Sequence, residues 1–172
     1  MLISEFRPTS IDVTHRPSKI ISGGQTGADI GGLVGAKRVG IATGGYAPRG
    51  FKTEVGPQPE TLKEFGLVEL PSPNYKHRTK QNVFSSDATL IVAIDPTSHG
   101  TQRTIQYCKE LNKPYLLIDP ASDCHELIRV FLDNHSPRVL NIAGNRESKS
   151  KGIAAKTAAI IQAVLGGANE QG

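Results

Sequence analysis

The hydrophobic positions of this chain fall into short apolar runs separated by longer amphipathic stretches. Lys19 to Ser22, Val39 to Ala42, Leu67 to Leu70, Ala88 to Ile94, Pro114 to Asp119 and Arg138 to Gly144 each read as a strand. The run from Ala88 to Ile94 is nearly continuous, as expected of a parallel strand covered on both faces. Helices are expected from Gly27 to about Arg38, around Thr61 to Phe65, and from Tyr75 to about Ser86. Three more follow, from about Thr101 to Leu111, Ser122 to Asn134 and Gly152 to Leu165. Strands alternating with helices predict an α/β, Rossmann-like single domain, a mainly parallel sheet with helices on both faces. Residues 1–18 carry two prolines and no sustained period, so they read as a peripheral N-terminal arm. Residues 19–166 make the ligand-binding domain, and 167–172 a flexible C-terminal tail.

The punctuation between these elements suggests chemistry. Ser22-Gly23-Gly24-Gln25-Thr26-Gly27-Ala28-Asp29 joins a strand directly to a helix, which leaves backbone N–H groups without helical partners. Such donors, with the helix dipole behind them, suit phosphate or another anion; an empty tight turn is the plainer alternative. Gly31, Gly32 and Gly35 weaken the following helix and suit close packing rather than ligand contact. Thr43-Gly44-Gly45-Tyr46-Ala47-Pro48-Arg49-Gly50-Phe51 is too rich in turn formers to be regular, and reads as a loop in which Arg49 is the natural anion donor. The basic set Lys76, His77, Arg78 and Lys80 reads first as a solvated helix face. At Asp95-Pro96-Thr97-Ser98-His99-Gly100-Thr101 a second strand–glycine–helix junction appears. Ser98 or Thr101 there can cap the helix or bind ligand, and His99 can bind, titrate or decorate the loop. Lys149, Lys151 and Lys156 lie near the start of the last helix, where cations oppose the dipole unless an anion is present. Arg146 and Ser148 gain weight as ligand contacts for that reason. The loops at 22–27, 43–50, 97–101 and 143–148 all follow strands and should gather beyond one sheet edge, where α/β ligands bind.

Bulk properties narrow the classes. At 172 residues the chain can bury one sizeable core, and its 37% hydrophobic and 21% charged content is that of a globular protein. A formal charge of +4 favours an anionic partner, but 5% aromatic content and no dense Lys/Arg run argue against nucleic acid. Cys108 and Cys124 are too few for a disulfide scaffold or a structural zinc site, and read as reduced thiols. No secretory signal or bilayer-crossing stretch is visible, so a cytoplasmic protein is expected.

Catalytic signatures are missing. The first loop is neither G-x-G-x-x-G nor Walker A, no G-x-S-x-G elbow occurs, and no His/Cys set has zinc spacing. Asp29 can be a general base, but a carboxylate in a first helical turn is favourable with the dipole anyway, and that structural role is preferred. No catalytic residue and no metal ligand is nominated.

Ile21 to Asp29 resembles the opening motif of the molybdenum cofactor carrier proteins. The similarity continues through Gly44 to Gly50, Tyr75, Arg78-Thr79, Asn82-Val83 and Ser86 to Thr89. It resumes at Gly100-Thr101, Thr104 and Lys113-Pro114, and ends with Leu140 to Ser148. It implies a Rossmann-like homo-oligomer, a tetramer in this family's pattern, that stores and protects the molybdenum cofactor without transforming it, for transfer to a recipient molybdoenzyme. The implied binding set is Gly23, Gly24, Gln25, Thr26, Gly27, Gly45, Arg49, Arg78, Ser98, His99, Gly100, Thr101, Arg146 and Ser148. The cargo is the cofactor itself, with molybdate or a nucleotide as alternatives. That family is also similar in fold to the lysine-decarboxylase-like phosphoribohydrolases, which cleave nucleoside monophosphates. Pro96 to Thr101 keeps only part of their glycine loop, and Thr104 stands where their catalytic acid is expected. A nucleotide-binding protein or a nucleoside-monophosphate phosphoribohydrolase is therefore the alternative.

Overall fold

The computed structural model describes residues 14–167. The expected tail from 168 onward and residues 1–13 of the expected arm lie outside them. In chain order the strands are β1 (Lys19–Ile21), β2 (Ala42–Ala47), β3 (Lys52–Thr53), β4 (Gly56–Pro57), β5 (Leu67–Glu69), β6 (Ala88–Val92), β7 (Tyr115–Ile118) and β8 (Val139–Gly144). The helices are α1 (Ala28–Arg38), α2 (Pro59–Glu64), α3 (Tyr75–Phe84), α4 (His99–Glu110), α5 (His125–His135) and α6 (Ile153–Leu165). Six strands form one sheet in the order β5-β2-β1-β8-β6-β7, every pair parallel. A short antiparallel hairpin, β3–β4, stands apart from it.

Parallel strands need crossovers, and the crossover helices cover the sheet on both faces. Helices α1, α5 and α6 pack together on one face, with α3 and α4 on the other. Beneath the first group lies the main core, including Ile20, Leu90, Leu140, Ile142, Leu132 and Ile161. All of β6 is buried, in keeping with its apolar run. Gly31 and Gly35 lie against Ala154 and Ala158, so the glycines of α1 let α6 approach closely. Cys108 and Cys124 are free and buried. Among the described residues no helix is long and apolar enough to cross a membrane.

Residues 14–18 are tied down rather than loose. Arg16 donates to the carbonyl of Leu165, the last residue of α6, at 2.6 Å and also to that of Val39, the residue after α1. A cation at two helix carboxyl ends is favourable with both dipoles.

The second expected loop needs correcting. Thr43 to Ala47 is not irregular but forms most of β2, in register with β1 at Ile20–Thr43 and Ile21–Gly44. A β-carbon on Gly45 would lie 2.1 Å from the Ser22 carbonyl oxygen, so here glycine permits strand-to-strand contact instead of making a turn. Only Pro48 to Phe51 extends beyond the strand, as a single turn of 3-10 helix.

Candidate functional site

At the carboxyl ends of β1, β6 and β8 a cleft of about 550 Å³ opens, within the usual size of small-molecule sites. Its walls come from the loop after β1 (Gly23, Gln25), the inner side of α3 (Tyr75, Arg78, Asn82), the start of α4 (Ser98 to Gly100, Arg103, Thr104) and the β8 end with its loop (Asn141 to Arg146, Lys149). Four cationic side chains line it, Arg78, Arg103, Arg146 and Lys149, against the carboxylates of Asp29 and Asp95. The excess of positive charge suits an anionic ligand.

Asn145 holds two of the walls in place. Its Oδ1 accepts the backbone N–H groups of Ile94 at 2.8 Å and Asp95 at 2.9 Å, and the Ser150 hydroxyl at 3.2 Å. Its Nδ2 donates to the Asp95 carbonyl at 2.9 Å and to the hydroxyls of Ser98 at 3.1 Å and Thr101 at 3.3 Å. A buried amide with every donor and acceptor used is a rigid staple. It fixes the end of β6 and the start of α4 against the loop after β8. Ser98 also caps α4, its Oγ accepting the Thr101 N–H.

Tyr75 is ringed by cations. The guanidinium carbons of Arg78 and Arg146 lie 4.9 and 5.0 Å from the ring centroid, and Lys52 Nζ lies 5.0 Å away. Such contacts orient long side chains that would otherwise sweep a large volume. Arg78 is further fixed by donating through Nη1 to the Gly23 carbonyl at 2.8 Å and through Nε to Thr79 Oγ1 at 3.3 Å. Its Nη1 stands 3.7 Å from Asp29 Oδ2. Burial pushes the Asp29 carboxyl above its ordinary range, against the opposing pull of Arg78.

The loop amides after β1 are mostly spent within the protein. The Gly24 N–H donates to Ser22 Oγ at 3.3 Å, Gln25 N–H to Asp29 at 3.1 Å and Thr26 N–H to Gln25 Oε1 at 3.1 Å. The anion facing this turn is Asp29 from the same motif. Likewise Glu147 caps α6, accepting the Gly152 and Ala154 N–H groups, so the cations near that helix already have their counter-charge. Gln25 Nε2 is buried with no partner among the described residues, while Gln25 Oε1 accepts two amides, those of Thr26 and Glu54. An orphaned buried donor beside a cleft is where a ligand acceptor would be satisfied.

A second, more apolar cavity of about 830 Å³ backs onto the same loops. Gly24, Thr26, Gly27 and Ser148 line this one instead, with Ile30 and Leu62. Glu54, at the tip of the β3–β4 hairpin, accepts the Thr26 hydroxyl, and at 2.6 Å the Ser148 hydroxyl. Burial alone would raise the Glu54 pKa, but the Ser148 and Thr26 hydrogen bonds hold it below its ordinary range.

Residues 20–165 match the sequence pattern of the circularly permutated YpsA SLOG family. The chain belongs to that family. It is 38% identical, with a TM-score of 0.81, to a "putative molybdenum carrier protein" from Syntrophus aciditrophicus SB known from a crystal structure. The match covers 87% of this chain and 95% of that one. No curated protein matches.

Membership of a permuted SLOG family accounts for the sheet order. If β8–α6 is read as the first unit, the order becomes 4-3-2-1-5-6, a doubly wound sheet that reverses between β8 and β6. The cleft lies at that reversal, the expected ligand position. Of the nominated residues, Gly23, Gln25, Arg78, Ser98, His99, Gly100 and Arg146 line the cleft. Thr101 lies just behind it, bonded to Ser98 and Asn145. Gly45 and Arg49 line neither cavity; Arg49 is exposed, its N–H bonded to the Ser72 carbonyl at 2.9 Å. Asn145, Arg103 and Lys149 escaped nomination. Asn145 carried a signal as a polar residue directly after a buried strand and within the family motif, and Lys149 as a cation near the start of the last helix.

Proposed function

We propose that this chain binds an anionic, pterin-bearing molybdenum cofactor in the β6–β8 cleft and carries it without chemical change. The observation that carries this reading is the pair of guanidinium groups, Arg78 and Arg146, fixed on Tyr75 beside a buried Gln25 donor with no partner among the described residues. Oriented cations supply charge to phosphate and oxo groups, and an amide donor reads a neutral oxygen or ring nitrogen. The solved relative's name, molybdenum carrier, supports a molybdenum-bearing cargo. The cofactor brings its own dithiolene sulfur, so no soft protein ligand is required.

The carboxylates nearest the cleft are poorly placed for hydrolysis. Asp29 is paired with Arg78, and Asp95 accepts the Thr97 N–H at 2.9 Å and its hydroxyl at 2.6 Å. Thr104 donates its hydroxyl to the Gly100 carbonyl at 3.0 Å. A general base needs a free lone pair within reach of the water it activates.

Native mass spectrometry after anaerobic incubation with purified cofactor tests the reading, with one cofactor per chain expected. Absence of any bound species at micromolar protein overturns it, and release of free base from AMP would replace carriage by hydrolysis. Delivery to a recipient molybdoenzyme from a cytoplasmic homotetramer completes the reading; light scattering on the purified protein tests the tetramer.

A further inference from the structure

Asp29 is 9% exposed, yet it forms part of the cleft wall. Its carboxylate lies where the turn after β1 and the start of α1 would otherwise offer an external anion their donors. It accepts the Gln25 N–H at 3.1 Å and sits 3.7 Å from the Arg78 guanidinium. We propose that Asp29 is a resident counter-anion, which competes with the ligand for Arg78 and so keeps that ligand exchangeable. This inference rests on the carriage reading above, because it concerns how tightly that same cleft holds its cargo.

The physical case has three parts. Arg78 spends Nη1 on the Gly23 carbonyl and Nε on Thr79, so its position does not depend on Asp29 alone. Its charge is therefore available at a fixed place to whichever anion is nearest. An anion entering the cleft approaches Arg78 within a few ångströms of the Asp29 carboxylate, in surroundings that screen charge much less than water. The two anions repel while sharing one cation. Finally, the other carboxylates nearby do not play this part, since Asp95 is turned to Thr97, and Glu54 and Glu147 line the second cavity. A carrier gains from such an arrangement because cargo held by uncontested cations would leave slowly.

Asp29→Asn removes the charge while keeping an oxygen to accept the Gln25 N–H. Isothermal titration calorimetry with molybdate, and separately with purified cofactor, reads the effect against wild type and Arg146→Ala. The expected result is roughly tenfold tighter binding of both probes by the Asn variant. Equal or weaker binding by a folded Asn variant overturns the role of Asp29. If wild type binds and Arg146→Ala weakens it while Asp29→Asn changes nothing, only this inference falls. If neither wild type nor the folded Asn variant binds either probe, carriage falls with it; binding by the Asn variant alone supports the inference. Should Asp29→Asn fail to fold, the carbon-13 resonance of the Asp29 carboxyl in wild type decides the matter. It should shift when cofactor is added, and an unmoved resonance at saturation overturns the proposal.

Discussion

Gly27 and Asn145 meet backbone to backbone: a β-carbon on Gly27 would lie 2.3 Å from the Asn145 carbonyl oxygen, which also accepts the Ala28 N–H at 3.1 Å. Gly27 has a φ of 85°, which side chains rarely adopt. The third glycine of the motif thus lets two protein loops touch, whereas its sequence context suggested ligand access. Gly27→Ala is expected to cost about 2 kcal/mol or more through strain and separation of the loops. Urea unfolding measures the loss, and cofactor binding should weaken in parallel because both walls of the cleft shift.

Asn145→Ala should be equally damaging for a different reason. It orphans the N–H groups of Ile94 and Asp95 and frees the start of α4. Leaving these part-buried donors unpaired costs up to about 1–3 kcal/mol. Hydrogen exchange should accelerate at Ile94 and Asp95, just past the end of β6, before it does within β6, and protection there unchanged from wild type would contradict the staple.

Glu54 gives a pH signature. Its folded pKa lies below its unfolded value, so its stabilising contribution is present above the ordinary glutamate range and lost as pH falls through the folded value. Glu54→Gln should therefore destabilise the hairpin at neutral pH, by no more than about 1 kcal/mol because the group is partly solvated. The gap between variant and wild-type melting temperatures should close in acid. A gap that is constant with pH would show that charge is irrelevant to this latch.

Arg146→Ala and Arg49→Ala now separate. Arg146 lines the cleft and stacks on Tyr75, so its removal should weaken binding of anionic ligand about tenfold to a hundredfold. Arg49 lines neither cavity, so its removal should leave affinity unchanged. Parallel titrations of the two variants at fixed ionic strength check the contrast.

Much of the fold was legible because hydrophobic period is a local property. The alternation of apolar runs and amphipathic stretches sufficed for a parallel α/β sheet with helices on both faces, and β6 stood out by its continuous run. Thr43 to Ala47 was misread because glycines in a strand mimic a loop until the neighbouring strand is known. At Gly45 that neighbour is the Ser22 backbone, which leaves no room for a side chain.

The sequence by itself determined most of the element types, the family motif and the surplus of positive charge. Only the tertiary structure decided which way successive residues of the motif face. Gly23 and Gln25 look into the cleft, while Gly24, Thr26 and Gly27 line the cavity behind it. It also decided that the motif's amides are mostly spent inside the protein, that of Gln25 on Asp29, and that Asn145, far along the chain, fixes the walls. Charge and hydrogen-bonding capacity are written in residue types, but their partners are chosen by folding. Here the strand that closes the site, β8, comes last in the chain and inserts beside the first.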